Sequence, residues 1–156
     1  MNCQQNLLGA NTAAQKKNPC CSHQVNLIKA VAIGDAIVRG GGCVLFDENS
    51  IVSGNAICHD VGTSAFFVNQ VGLYEVFFKF AYSATAPGRV VFEIRNNAAS
   101  RVVEQIVVSP QDGHIASSDV FLLTAGSAIE LCMLPIPQSD IDAIIICNAV
   151  MIIKKL

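Results

Sequence analysis

Cysteine is the residue type in this chain that is best able to do chemistry. The sequence of 156 residues contains seven cysteines: Cys3, Cys20, Cys21, Cys43, Cys58, Cys132 and Cys147. Such a density is unusual for a cytosolic protein and indicates disulfide bonds. Because seven is an odd number, at least one thiol per chain is either free or bonded to another molecule.

Cys20 and Cys21 are neighbours in the sequence. In an extended segment their side chains point to opposite sides, and a disulfide between them would close a small, strained ring. Each is therefore better placed to bond a different sulfur atom. We predict that Cys3, Cys20 and Cys21 form disulfides with another subunit. Incidental thiols in a disordered tail, or a role in metal binding, are the alternatives.

The remaining cysteines are the candidate acceptors for these intermolecular disulfides. They are Cys43, Cys58, Cys132 and Cys147. Cys132 and Cys147 lie within strand patterns, where a small buried side chain explains a cysteine as well as a disulfide does.

Neither a metal site nor a catalytic site is predicted. Zinc ligands usually follow Cys-x₂-Cys or His-x₃₋₅-His spacing, and Cys20-Cys21-Ser22-His23 does not. Cys58-His59-Asp60 contains the residue types of a nucleophile, a base and an orienting group, but adjacent strand residues face opposite ways. We therefore expect no enzyme, no cofactor and no metal ligands.

Composition restricts the partners of the chain. Hydrophobic residues make up 52% of it and charged residues 14%, which is more apolar than an average soluble domain. No apolar run reaches the roughly 18 residues of a membrane helix. The net charge of −2 without a basic block argues against nucleic acid as a partner. The surplus apolar surface predicts contacts between subunits.

The pattern of the chain changes near residue 24. Residues 1–24 contain no acidic residue and no apolar period, which predicts a flexible connector arm. The arm also lacks the features of a signal peptide, so we expect synthesis in the cytosol. Residues 25–156 alternate apolar segments with turn signals such as Gly40-Gly41-Gly42 and Ala86-Pro87-Gly88. This punctuation is typical of an all-β sandwich or barrel of short strands.

A period of two predicts which strand residues pack together. Two strands, at residues 73–82 and 129–134, supply a set expected in the core or at a trimer interface. The set is Tyr74, Val76, Phe78, Phe80, Tyr82, Leu131 and Met133. The opposite face of the first of these strands carries Glu75 and Lys79. They either pair with charges of a neighbouring subunit or mark a half-solvated face.

The order of these segments resembles the globular heads of the C1q/TNF superfamily. The similar segments are residues 43–47, 66–78, 121–131 and 149–153, with Ser127 in place of the family's usual Asp. The resemblance covers residues 31–156. It implies a ten-strand jelly-roll sandwich that packs as a homotrimer through a flat apolar surface. Collagen-like spore-surface glycoproteins carry such heads, but a collagen stalk is impossible here because no Gly-X-Y tract is present.

The arm has a second resemblance. Met1-Asn2-Cys3 and Pro19-Cys20-Cys21 are similar to the N-terminal arms of bacterial endospore appendage fibre subunits. This similarity implies a structural subunit made in the mother-cell cytosol, whose trimers stack into a spore-surface fibre, with other spore-surface proteins as further partners. The alternative is a C1q-like head that binds a receptor or carbohydrate on a spore or a phage tail, extracellular after lysis. A binding head has no need of the arm cysteines.

Overall fold

The computed structural model describes residues 25–84, 86–97, 99–108 and 112–156, with the backbone alone for residues 99–108. The predicted arm, with Cys3, Cys20 and Cys21, lies outside the described residues. The strands are β1 (Leu27–Val31), β2 (Asp35–Arg39), β3 (Glu48–Ser53), β4 (Ile57–His59), β5 (Phe66–Val68), β6 (Gly72–Ser83), β7 (Gly88–Asn96), β8 (Ala99–Val108), β9 (Asp112–Leu123), β10 (Ala128–Met133) and β11 (Ala143–Lys155). The described part of the chain has no helix that is long and apolar enough to span a membrane.

The strands form two antiparallel sheets that enclose the core. The first sheet has the order β3-β1-β11-β6-β9, and β2 pairs with the remaining half of β11. The second sheet has the order β4-β5-β10-β7-β8. Several neighbours in these sheets, such as β1 and β11, are far apart in the sequence, as in a jelly roll. The predicted all-β jelly-roll sandwich is confirmed.

An interruption beside β11 explains why the described residues form eleven strands where ten were expected. β1 pairs with residues 150–154 of β11, whereas β2 pairs with residues 143–147. Between these two stretches, Gly34 and Asn148 both have a positive φ, of 79° and 50°. The amide of Asn148 donates to the Gly34 carbonyl oxygen at 3.2 Å. β1 and β2 therefore occupy a single position in the sheet, and counting them together gives ten.

The core is filled by alternate residues of the strands. Most of the predicted packing residues lie in it and are at most 2% exposed: Tyr74, Val76, Phe78, Phe80, Leu131 and Met133. Tyr82 is half-buried and packs against the same cluster. The rings of Phe80 and Phe92 join the two sheets, with centroids 4.9 Å apart. Each large apolar side chain buried in this way contributes roughly 1.5–3 kcal/mol to the free energy of unfolding.

Candidate functional site

The outer surface of the first sheet is apolar across several adjacent strands. We call this surface the sheet-1 face, and its main apolar members are Leu73, Phe77, Val120, Leu122, Val150 and Ile152. Leu73 and Leu122 stand opposite each other and are 50% and 73% exposed, and Val120 is 46% exposed. Phe77 and Ile152 are directly paired and half-buried. Contiguous apolar surfaces of this kind usually mark a site of association in soluble proteins.

Charged residues also stand on the sheet-1 face: Glu75 and Lys79 on β6, Lys154 on β11 directly opposite Glu75, and Lys29 on β1 opposite Ile152. Glu75 is half-buried and Lys79 is exposed, on the outward side of β6. Within the described residues the ion pairs lie elsewhere, between Arg and Asp or Glu side chains of other elements. Glu75 therefore has a lysine of its own chain, Lys154, as its neighbour across the strand pair, and both alternatives for Glu75 and Lys79 that the sequence leaves open remain predictions.

A groove of about 400 Å³ opens on the same face, where the bulge in β11 lies beside β6 and β9. Its lining residues are Lys79, Phe80, Ala81, His114, Ile115, Ala116 and Asn148. Lys79 and His114 give the groove basic groups, and the rest of its lining residues are apolar apart from Asn148. A ligand in the groove would therefore compete with any molecule that covers the sheet-1 face.

Cys147 is a free cysteine on the outward side of β11, at one end of the sheet-1 face. Its thiol is held by the carboxylate of Asp35. This hydrogen bond, together with burial and the negative charges of Asp35 and Asp112, raises the pKa of Cys147 to about 11. Since the thiolate is the form that attacks or is oxidised, Cys147 is a poor nucleophile at neutral pH.

Cys58 is the other free cysteine in the described part of the chain. It is half-buried on β4, the edge strand of the second sheet, and its partner across the strand pair is Phe67, which is 41% exposed. It therefore faces outward. The adjacent His59 faces the core instead, so the consecutive Cys58-His59-Asp60 does not form a nucleophile and base pair.

His59 has a structural role in this arrangement. Its Nδ1 lies 2.7 Å from Asn49 Oδ1, its Nε2 lies 3.0 Å from the Thr63 carbonyl oxygen, and its ring stacks on Phe66. A neutral imidazole can donate to only one of these oxygens, whereas an imidazolium can donate to both. Burial nevertheless dominates and lowers the pKa of His59, against the opposing effects of the Thr63 bond and the charge of Asp60.

Cys43 and Cys132, both candidate acceptors from the sequence, are joined to each other by a disulfide. Residues 42–44 pair with β10 through hydrogen bonds from Val44 to Leu131 and from Met133 to Gly42, each 2.9 Å long. Cys43 therefore stands directly opposite Cys132. The bond links positions 89 residues apart, which in a chain-entropy description stabilises the fold by about 4–5 kcal/mol. Neither sulfur is a free thiol in this state.

A polar cluster surrounds this disulfide on the outer side of the second sheet. The guanidinium of Arg95 pairs with the buried Glu93 at 2.7 Å and lies 3.7 Å from Cys43 Sγ. The hydroxyl of Ser64 donates to Glu130 Oε1 at 2.5 Å. The ligand atoms of Cys43, Cys132 and Glu130 all lie within 4.8 Å of one another. Glu130 was not predicted to be a site residue, although its spacing of two from Cys132 already puts both on one face of a strand.

The pKa of Cys147 leads to a testable difference between the two free thiols. In the reduced protein at pH 8, we expect Cys147 to react with iodoacetamide on the order of a hundredfold more slowly than an ordinary thiol. Asp35→Asn removes the carboxylate charge and should accelerate the alkylation of Cys147 on the order of tenfold. Peptide mass spectrometry over a time course measures both rates.

The alkylation of Cys58 is the internal control, because Asp35 lies on the other sheet. Its rate should be the same in both proteins. An unchanged rate at Cys147 in the Asp35→Asn variant would show that Asp35 does not hold this thiol in its protonated form.

Comparison with known proteins supports the fold. No protein-family model matches the chain, and no curated protein is significantly similar to it in sequence. Solved structures do match. The globular domain of zebrafish complement 1qA protein has 13% identity and a TM-score of 0.58, over 82% of this chain and 94% of that one.

Two further structures match in the same way. Murine APRIL has 12% identity and a TM-score of 0.59, over 85% of this chain and 100% of that one. The Eiger TNF of S. frugiperda has 13% identity and a TM-score of 0.55, over 85% of this chain and 93% of that one. The chain therefore has the jelly-roll fold of C1q/TNF domains.

Proposed function

We propose that this chain is a structural subunit that associates through its sheet-1 face into a homotrimer, and whose trimers stack into a spore-surface fibre. The observation that carries the proposal is the contiguous apolar surface on β6, β9 and β11. A sandwich of two sheets covers the inner side of its strands only. The outward Leu73, Val120 and Leu122, which are 50%, 46% and 73% exposed, gain most if another copy covers them.

The charged residues on this face agree with association between copies. Glu75 and Lys79 would lose water on burial, and this costs free energy unless each meets an opposite charge. A second copy of the chain brings both charges with it. The resemblance to C1q/TNF heads, which implies a trimer, gives the number of copies in the proposal.

The N-terminal arm would connect one trimer to the next. Three arms that dock into three sites on a neighbouring trimer make a head-to-tail contact, which propagates instead of closing. Their combined binding is strong even if each arm binds weakly. A disulfide then locks each arm: two thiols and dioxygen give one S–S bond and hydrogen peroxide.

The described residues differ in how well each cysteine could form a disulfide with a cysteine of the arm. Cys43 and Cys132 are bonded to each other, and Cys147 is protonated beside Asp35 on the face that the trimer would cover. Cys58 is outward on an edge strand, away from the sheet-1 face. Cys58 is therefore the acceptor that we favour for Cys20 or Cys21 of the neighbouring trimer.

Val120→Glu tests the sheet-1 face as the subunit interface. It places a charge in each copy where apolar contact is proposed, so we expect the reduced variant to sediment as a monomer at concentrations where the natural protein is a trimer. Val61→Glu is a matched control, because Val61 is a valine of similar exposure (60%) in the turn after β4. Analytical ultracentrifugation compares the three proteins.

Two outcomes would contradict the proposed interface. If Val120→Glu remains a trimer, the sheet-1 face is not the contact between copies. If Val61→Glu dissociates as readily as Val120→Glu, the effect reports added charge and not a particular surface. Circular dichroism confirms that both variants keep their strands.

The arm is tested by Cys20→Ser combined with Cys21→Ser. We expect soluble trimers from this double variant and no polymers that survive boiling in detergent, because the covalent lock is absent. Cys58→Ser should have the same effect, and Cys147→Ser should leave resistant polymers. Non-reducing gels and negative-stain electron microscopy give both measurements.

Resistant fibres from the double variant would contradict the locked arm. Discrete particles from every protein, including the natural chain under oxidising conditions, would favour the other function, a C1q-like head that binds a receptor or carbohydrate. In that case the basic groove beside Lys79 and His114 is the first surface to examine for a ligand.

A further inference from the structure

The cluster around Cys43 and Cys132 contains the residue types of a metal site, but the disulfide prevents its two sulfurs from binding an ion. We propose that the reduced chain binds one Zn²⁺ ion between the thiolates of Cys43 and Cys132 and the carboxylate of Glu130, and that the disulfide excludes the ion. The proposal is independent of how the chain assembles.

The strand pairing supplies the ligands in one place. Cys43 and Cys132 are directly opposite each other, with Cα atoms 3.9 Å apart. Glu130 precedes Cys132 by two residues and lies on the same side of β10. Their ligand atoms lie within 4.8 Å of one another. Two sulfurs bound to a tetrahedral zinc ion, at about 2.3 Å each, lie roughly 3.8 Å apart. Side-chain rotation after reduction is enough to reach this separation.

The carboxylate of Glu130 is already oriented. Ser64 donates to its Oε1 at 2.5 Å, and this leaves Oε2 to act as the ligand. Hydrogen bonds from such outer partners fix the direction of a ligating group and increase its affinity for the metal. Two thiolates and one carboxylate leave a fourth position for water, which suits zinc.

The charge balance of the cluster is compatible with a divalent cation. In the disulfide form, Glu93 and Arg95 neutralise each other and Glu130 contributes one negative charge. After reduction the two sulfurs are neutral thiols, because two thiolates without a cation would be costly beside the fully buried Cys132. A divalent cation cancels the charges of two thiolates, so the metal form has the same net charge as the disulfide form.

The two states interconvert by balanced steps. The disulfide and two molecules of a small thiol give two protein thiols and one small-molecule disulfide. The two protein thiols then release two protons as Zn²⁺ binds. In the reverse direction the small-molecule disulfide and two protons convert the two bound thiolates to the protein disulfide and two molecules of the small thiol, and the ion leaves because two of its three protein ligands are gone.

Cobalt(II) is the probe for this site, because its absorption reports thiolate ligands. The experiment uses the full chain with Cys3, Cys20 and Cys21 changed to Ser, so that the arm thiols do not compete, and a phosphine as reductant. We expect one Co²⁺ per chain, with thiolate-to-cobalt charge-transfer bands, and displacement of Co²⁺ by Zn²⁺. The same protein in its disulfide form should bind none.

Variants then identify the ligands. Glu130→Gln should keep the charge-transfer bands and weaken binding, and Ser64→Ala should weaken it about tenfold through the outer hydrogen bond. Cys43→Ser should reduce the bands. Cys58→Ser and Cys147→Ser are the matched controls, since each removes a thiol elsewhere, and both should bind as the parent does.

The proposal is overturned if the reduced parent takes up no Co²⁺ or if Cys58→Ser or Cys147→Ser abolishes the bands. It is also overturned if Glu130→Gln and Ser64→Ala both bind as tightly as the parent. These two variants keep both sulfurs and the disulfide, so the test does not depend on the folding of a cysteine variant.

Discussion

The position of β11 between β1 and β6 is the constraint on which the rest of the structure depends. Its inward side chains, such as Met151 and Ile153, close the core against the second sheet. Its outward side chains are apolar as well, among them Val150 and Ile152. A single sandwich buries only the first set, so the same strand that stabilises the fold leaves an apolar surface outside it. The proposed trimer follows from this surplus.

The second sheet has a different character. Its outer side carries a polar cluster around the Cys43–Cys132 disulfide, with Glu93 and Arg95 paired and Glu130 held by Ser64. The outer sides of the two sheets are thus chemically distinct: the first is mainly apolar with a few charged residues, and the second holds a cluster of sulfur and charged groups in which Cys132 and Glu93 are buried. Of the free thiols in the described residues, Cys58 lies on the second surface and Cys147 on the first. A subunit that stacks can use the first surface within a trimer and the second between trimers.

The fold could be predicted from the sequence because its signals are local. The alternation over residues 73–82 predicts the inward face of β6 from the period of two alone. The clustering of cysteines could not be predicted, because Cys43 and Cys132 lie 89 residues apart and meet only through the pairing of residues 42–44 with β10. Metal motifs that can be recognised in a sequence have short spacings, so a ligand set from two distant segments does not appear as a motif. Likewise, nothing in the sequence links Asp35 to Cys147.

The division of one sheet position between β1 and β2 could not be predicted from the sequence either. Gly34 is visible as a turn signal, but its partner at the bulge, Asn148, lies within an almost continuous apolar run. Only the sheet register shows that the two interruptions face each other, and that two short strands share one position.

The measurement that tests the central claim most directly is electron cryo-microscopy of the full-length protein under reducing conditions. The account predicts threefold particles in which β6, β9 and β11 of each copy face the neighbouring copies, with the second sheets turned outward. Particles in which the second sheet forms the contact, or a population of monomers with the sheet-1 face open to water, would contradict it.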